Sequence, residues 1–343
     1  MIEFLSQYGL FLAKILTLIV GILITFSAII AIVQKGRKQD GTLVITNLNE
    51  KFIDIRDSIQ EETLNKFELK HWLKSQKQES KQKKKAQKNA KDIRSRTFVV
   101  RFDGDIRAFE VTNLREIISA ILQVSAPKDE VLVIVESSGG FVHGYGLAAS
   151  QLDRIKQHHI KLTVAIDKLA ASGGYLMACV ADKIIAAPFA IVGSIGVIAQ
   201  LPNFHRLLDK HNVDFEMHTA GEYKRTITMF GKNTDKGRKK FQEEIEQTHE
   251  LFKQFITAHR PQVNIAEVAT GEHWHAITAL QYKLVDKIQT SDDFILHKIK
   301  DSNVFEISYE EKQKLSDRLS RNIFQSLETL LLKLFTRKSI SAN

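Results

Sequence analysis

The chain has 343 residues, 43% hydrophobic and 26% charged, with the single cysteine Cys179. That is room for one large domain with appendages or for two modest ones; the apolar share excludes global disorder, and one cysteine excludes an internal disulfide framework or a cysteine-rich zinc module. All but one of the nine net positive charges fall between Lys70 and Lys91, where nine lysines face the lone acid Glu79, whereas a nucleic-acid-binding domain would carry its basic residues on the folded body, so no nucleic-acid partner is expected.

Residues 15–33 form a 19-residue run without a charge, interrupted by Thr17, Gly21, Thr25 and Ser27. As a helix this run spans about 28 Å, close to the hydrocarbon thickness of a bilayer. Lys14 flanks one end, and Lys35, Arg37 and Lys38 flank the other. A cleaved signal peptide fits less well: the run exceeds the usual h-region, no basic n-region precedes it and no A-x-A site follows. Residues 1–38 are therefore expected to form an N-terminal transmembrane anchor, in the lipid bilayer through 15–33. The positive-inside rule then directs the following chain to the cytoplasm.

Residues 45–90 alternate charged and apolar positions (Phe52, Ile55, Ile59, Leu64, Phe67, Trp72) before passing into KQESKQKKKAQKNAK. The pattern predicts a charged helical stalk and a flexible Lys-rich linker over 39–96, either a solvated spacer or a contact to anionic headgroups. From 97 to 300 the signature is that of an α/β domain. Short β-branched or apolar runs (98–102, 131–135, 162–166, 183–187, 213–218) alternate with helical stretches (113–124, 144–157, 173–180, 203–210). That alternation predicts βαβ units and a largely parallel sheet covered on both faces. A long amphipathic helix is expected over 235–258. The apolar stretch 184–201 contains Pro188, Gly193 and Gly196, so it reads as buried core rather than a second membrane span. A C-terminal amphipathic helical extension is expected over 301–343, with an apolar stripe at Phe324, Leu327, Leu331, Leu334 and Phe335. That stripe suits a neighbouring subunit, a bilayer surface or the domain itself.

Two glycine-rich turns follow predicted strands: Glu136-Ser137-Ser138-Gly139-Gly140 and Ala171-Ser172-Gly173-Gly174-Tyr175. A serine at a strand-to-helix turn presents its hydroxyl at the carboxyl edge of a sheet, and the helix behind it offers free N–H groups. Gly139–Gly140 can bring another backbone N–H to the same point, because no Cβ obstructs it. Two such donors make an oxyanion hole. The nucleophile needs a base, for which the sequence offers His143, three residues past Gly140, and Lys224 in Ala-Gly-Glu-Tyr-Lys-Arg. A lysine base must be neutral near pH 7, which demands an apolar, closed site. The histidines show no metal-ligand spacing of the H-E-x-x-H kind, so neither metal nor cofactor is expected.

Four ordered stretches carry a resemblance: SSGGFVHGYGLAASQL, DKLAASGGYLMACVADKIIAAPFAIVGSIGVIAQ, HTAGEYKRT and GEHWHAITALQYKLVD. From Thr97 to about Asp293 the sequence resembles the bacterial SohB/signal peptide peptidase A family of membrane-anchored serine peptidases. The resemblance implies a ClpP/crotonase-like fold and a Ser–Lys dyad. Ser172 stands at the nucleophile position and Lys224 at that of the general base. Ser194 matches the serine that orients the lysine amine, and Gly140, Gly139 and Gly173 match the oxyanion-hole positions. One departure is Ser138, where the family usually has proline.

By this resemblance the chain is a serine endopeptidase of small or unfolded peptides and proteins at the bacterial inner membrane. It is also expected to be a homo-oligomer, with a periplasmic catalytic domain, against the charge bias beside the anchor. A catalytically silent scaffold on the same fold has no need to keep Ser172, Lys224 and Ser194 together. A crotonase-type acyl-CoA enzyme usually employs carboxylates instead.

Overall fold

The computed structural model describes residues 9–12, 14–18, 20–21, 41–89 and 94–311, with the side chains of 79–89 and 311 excepted. The chain divides into two units, Met1–Thr42 with Glu310–Asn343, and Leu43–Tyr309. In the first, the described residues among 9–21 are helical. No helix of the described residues is long and apolar enough to cross a membrane. Most of the expected span at 15–33, from residue 22 onward, and all of the expected C-terminal helix at 323–335 lie outside the described residues.

The second unit is an α/β fold. Its central strands are β2 (Arg96–Gly104), β3 (Glu130–Ser137) and β4 (Lys161–Ile166), where the alternation predicted them. They pair in parallel, with β6 (Lys183–Ala186) beside β4 and β9 (Lys287–Ile288) at the edge. Burial is almost continuous along β3 because both faces of the sheet are covered. Phe98, Val100, Val131, Val133, Leu162 and Val164 pack on one face with α3 (Val111–Val124) and α4 (Val142–Gln157). Val99, Leu132, Ile134 and Ala165 pack on the other.

That second face is covered by chain expected elsewhere. β1 (Gly41–Asn47) and α1 (Leu48–Thr63) fall in the stretch expected as a stalk, yet Leu48 and Phe52 lie on the sheet with Phe294 and Ile295 of the helix Ser291–Asp301. Asn49 explains the docking: its amide donates to the carbonyls of Ile299 and Ser302, and its Oδ1 accepts from the Val304 N–H. Residues 303–311, assigned to a helical extension, instead form β10 (Asn303–Glu311), parallel to β2 and joined to β1. The lysine tract also differs from a flexible linker, since α2 (Lys66–Asn89) carries the helix through most of it. The Asn65 side chain caps its start by accepting from the N–H groups of Phe67 and Glu68, and lysine and glutamine are good helix formers.

The sheet branches at the end of β3. Ser137 pairs with Ala170 of β5 (Leu169–Ala171), which continues to β7 (Ile191–Gly193) and the antiparallel β8 (His273–His275). The stretch 184–201 supplies β6 and β7, with Ile184, Ile185, Val192 and Ile195 buried, as expected for core. Residues 213–218 are not a strand. Val213, Phe215 and Met217 are exposed, and no strand of the described residues lies beside them.

Asp129 anchors the start of β3. Buried, it accepts from the Arg96 N–H at 2.8 Å, from the Arg96 guanidinium and from the Ala126 N–H. Burial alone would raise its pKa, but these bonds prevail and hold the carboxyl below the usual aspartate range. Because the folded value is depressed, the stabilisation is complete above about pH 5 and is lost as pH falls through the folded value. Asp129→Ala is therefore expected to cost about 2–4 kcal/mol at pH 7, with the gap to wild type narrowing in denaturant melts taken toward pH 2. An equal gap at every pH would refute the charged role.

Candidate active site

Ser172 follows β5 and starts α5 (Gly173–Ala178) with a backbone of φ 51° and ψ −117°. A non-glycine residue there carries strain of about 1–3 kcal/mol, which persists only where the surroundings fix it. They do so from several sides. The Ser172 N–H donates to the Gly193 carbonyl at 2.7 Å, and its carbonyl accepts from the Leu176 N–H. A Cβ on Gly139 would lie 2.8 Å from the Ser172 Cβ and 2.6 Å from the Gly173 nitrogen, so only glycine permits the approach of the two turns. The short helix α5 is tied down by Tyr175, whose buried hydroxyl donates to the Leu284 carbonyl at 3.0 Å. Nearby, buried Arg260 makes a two-pronged pair with Asp286, which also accepts from the Ile184 N–H.

Ser172, Gly139, Gly140, Gly173 and Ser194 line one cavity of about 800 Å³. The N–H groups of Gly140 and Gly173 have no acceptor among the described residues, so both are available to a developing oxyanion. Gly139 differs from the expectation that it donates there: its N–H is taken by the buried Ser137 Oγ at 3.0 Å. Ser194 also has positive φ, 53°, and its N–H donates to the Glu272 carbonyl. The opposite wall is apolar: Val142, Leu176 and Val197, with Leu251, Phe252 and Phe255 of α7 (Asp235–His259). The amphipathic stripe of α7 was legible in sequence, but its placement over this cavity was not.

Neither candidate base reaches the cavity within one chain. His143 is exposed and its ring stacks on Phe141. Lys224 is exposed and absent from the cavity wall, on the segment between α6 (His205–Lys210) and α7. Its neighbours hold that segment to the start of α7. Glu222 pairs with Lys236, and the Tyr223 ring lies under the ammonium groups of Lys236 and Lys240 at 5.8 and 5.4 Å. The segment exposes Val213, Phe215, Met217 and Tyr223, and Leu201 before α6 and Leu207 within it are exposed as well. His275 contacts the Phe189 carbonyl, and Trp274 packs on Tyr282.

A parallel α/β fold that brings a strained serine and two free backbone donors to one cavity has the parts that an acyl-transfer hydrolase would use. Comparison with known proteins adds the family. Residues 3–152 match the model of the peptidase family S49 N-terminal region, and residues 154–304 match that of peptidase family S49. The chain belongs to peptidase family S49. It is 48% identical to the probable protease SohB of Haemophilus influenzae, over 98% of each chain. It is 47% identical to the probable protease SohB of Buchnera aphidicola subsp. Schizaphis graminum, over 98% of this chain and 99% of the relative. Among solved structures, a 1510-N membrane-bound stomatin-specific protease in complex with a substrate peptide aligns at 12% identity and TM-score 0.42, over 68% of this chain and 99% of its own. ClpP1 from Listeria monocytogenes aligns at 16% identity and TM-score 0.39, over 57% of this chain and 92% of its own.

Gly139→Ala places a methyl between the turns at a φ of 86°. Peptide hydrolysis is expected to fall about a hundredfold, the effect of losing one oxyanion donor, with the far-ultraviolet circular dichroism unchanged. Full activity would show that the turns need not meet.

Proposed function

We propose that this member of a peptidase family is a serine-type endopeptidase with a ClpP/crotonase-like fold. Ser172 is the nucleophile, Lys224 the general base and Ser194 the residue that orients it, and the protein is anchored in the bacterial inner membrane through residues 15–33. The observation that carries the reading is the strained Ser172 backbone on a cavity shared with Ser194 and with the free N–H groups of Gly140 and Gly173. Neutral Lys224 accepts the Ser172 proton as Oγ attacks the peptide carbonyl. The two N–H groups hold the tetrahedral oxyanion, Lys224 protonates the leaving amine, and water then releases the acyl group. The apolar wall formed by Val142, Leu176, Leu251 and Phe252 suits an extended, unfolded peptide with hydrophobic side chains.

Lys224 is supplied by a second copy in a homo-oligomer. What supports this is its exposure on the same segment as Val213, Phe215 and Met217, apolar residues that have no partner strand among the described residues. Contact with a neighbour buries them and removes water from the amine, as a lysine base requires.

Hydrolysis of a mixed peptide library by the full-length protein in detergent, read by mass spectrometry, tests the proposal. Ser172→Ala and Lys224→Ala are each expected to abolish cleavage, and co-expression of the two variants to restore it, since each supplies what the other lacks. Silence of the mixture places both residues in one chain. Equal cleavage by wild type and Ser172→Ala rejects the nucleophile, and silence of the wild type favours the scaffold.

A further inference from the structure

We infer that Tyr145 and Ser137 are positioning residues that jointly hold both donors of the oxyanion hole, an assignment resting on the serine-peptidase reading above. Each is fully or nearly fully buried. Their hydroxyl oxygens lie 2.5 Å apart, the Tyr145 hydroxyl donates to the Asp105 carbonyl at 2.7 Å, and the Ser137 Oγ accepts from the Gly139 N–H at 3.0 Å. Each hydroxyl has one proton. With the tyrosine proton given to Asp105, the serine proton points to the nearer tyrosine oxygen, with the Gly104 carbonyl a longer second acceptor at 3.2 Å, so a directional chain runs Gly139 N–H to Ser137 to Tyr145 to the Asp105 carbonyl. Bonds in such a chain polarise and strengthen one another away from water.

Both donors of the hole lean on this pair. Gly139 is held by Ser137, which sets the plane of the next peptide and so the direction of the Gly140 N–H. Behind Gly140 stands the Ile106 carbonyl, 2.1 Å from where a Cβ would be, and this carbonyl also accepts from the Phe141 N–H at 2.8 Å. The loop carrying Ile106 is pinned at Asp105 by Tyr145. The second donor rests on the same residue, because a Cβ on Gly173 would fall 2.4 Å from Cγ of the Tyr145 ring. Gly104 makes room for the pair: its missing Cβ would lie 2.5 Å from the Tyr145 oxygen and 2.6 Å from the Ser137 Oγ. Burial pushes the Tyr145 phenol above its ordinary pKa, so it stays a neutral donor.

Tyr145→Phe keeps the ring against Gly173 and removes only the hydroxyl; Ser137→Ala breaks the chain from its other end. In the full-length enzyme each is expected to lower kcat about tenfold or more while KM for a cleaved peptide moves less than about twofold, because the interaction is made in the transition state. The discriminating readout is a peptide aldehyde, whose adduct with Ser172 places an oxyanion in the hole. Its inhibition constant should rise by the factor that kcat/KM falls, while the same uncleaved peptide binds Ser172→Ala equally well with or without Tyr145→Phe. A merely structural role would weaken peptide and aldehyde together and would overturn the inference, as would unchanged kcat in both variants. If Ser172→Ala itself stays active, the serine-peptidase reading fails and this assignment falls with it. If Ser172 is essential and both variants are fully active, this assignment alone fails.

Discussion

The site depends on one backbone conformation, the positive φ of Ser172 at the end of β5. An L-residue does not adopt it unaided, and its cost must be offset by neighbours that fit no other arrangement. Here the neighbours are β7, which accepts the Ser172 N–H; the Gly139 turn, which closes over the serine; and α5, held by Tyr175 and backed by Tyr145. This turn puts Ser172 on the cavity wall and leaves the Gly173 N–H unpaired at the start of a helix. Branching of the sheet makes this possible. β3 pairs with β4 along most of its length but gives its last residue, Ser137, to β5, so the two glycine turns emerge side by side.

Legibility in the sequence followed the range of the interactions. β2, β3, β4, β6, α3, α4 and α7 have local signatures in the form of apolar alternation or helical periodicity, and each lies close to where that pattern put it. The glycine turns were legible because few residues other than glycine allow two backbones to touch. What escaped was non-local. β1 and β10 are half-exposed strands whose place depends on Asn49 meeting residues 250 positions away. β5 and β8 are three residues long, too short to show a period. The alternation of Val213, Phe215 and Met217 mimicked a strand without a partner to pair with. Tyr145 and Ser137 looked like ordinary helix and strand positions, since nothing in their spacing reveals that their hydroxyls meet.

The position of Lys224 carries the main consequence for assembly. Under the proposed dyad the base must lie within hydrogen-bond reach of the proton it takes, and the exposed Lys224 does not meet that condition alone. A second copy would answer that need, covering the apolar segment that carries Lys224 and bringing the amine into a dry site. Activity would then be confined to the assembled protein and to segments of chain able to enter it unfolded, a useful restraint on a peptidase.

The most direct test of the central claim is covalent capture of the nucleophile. The full-length protein would be treated in detergent with a serine-directed fluorophosphonate, digested, and the labelled residue located by tandem mass spectrometry. The account predicts a single modified serine, Ser172, with labelling lost when the protein is denatured first. Modification at another serine, or equal labelling of native and denatured protein, would contradict it.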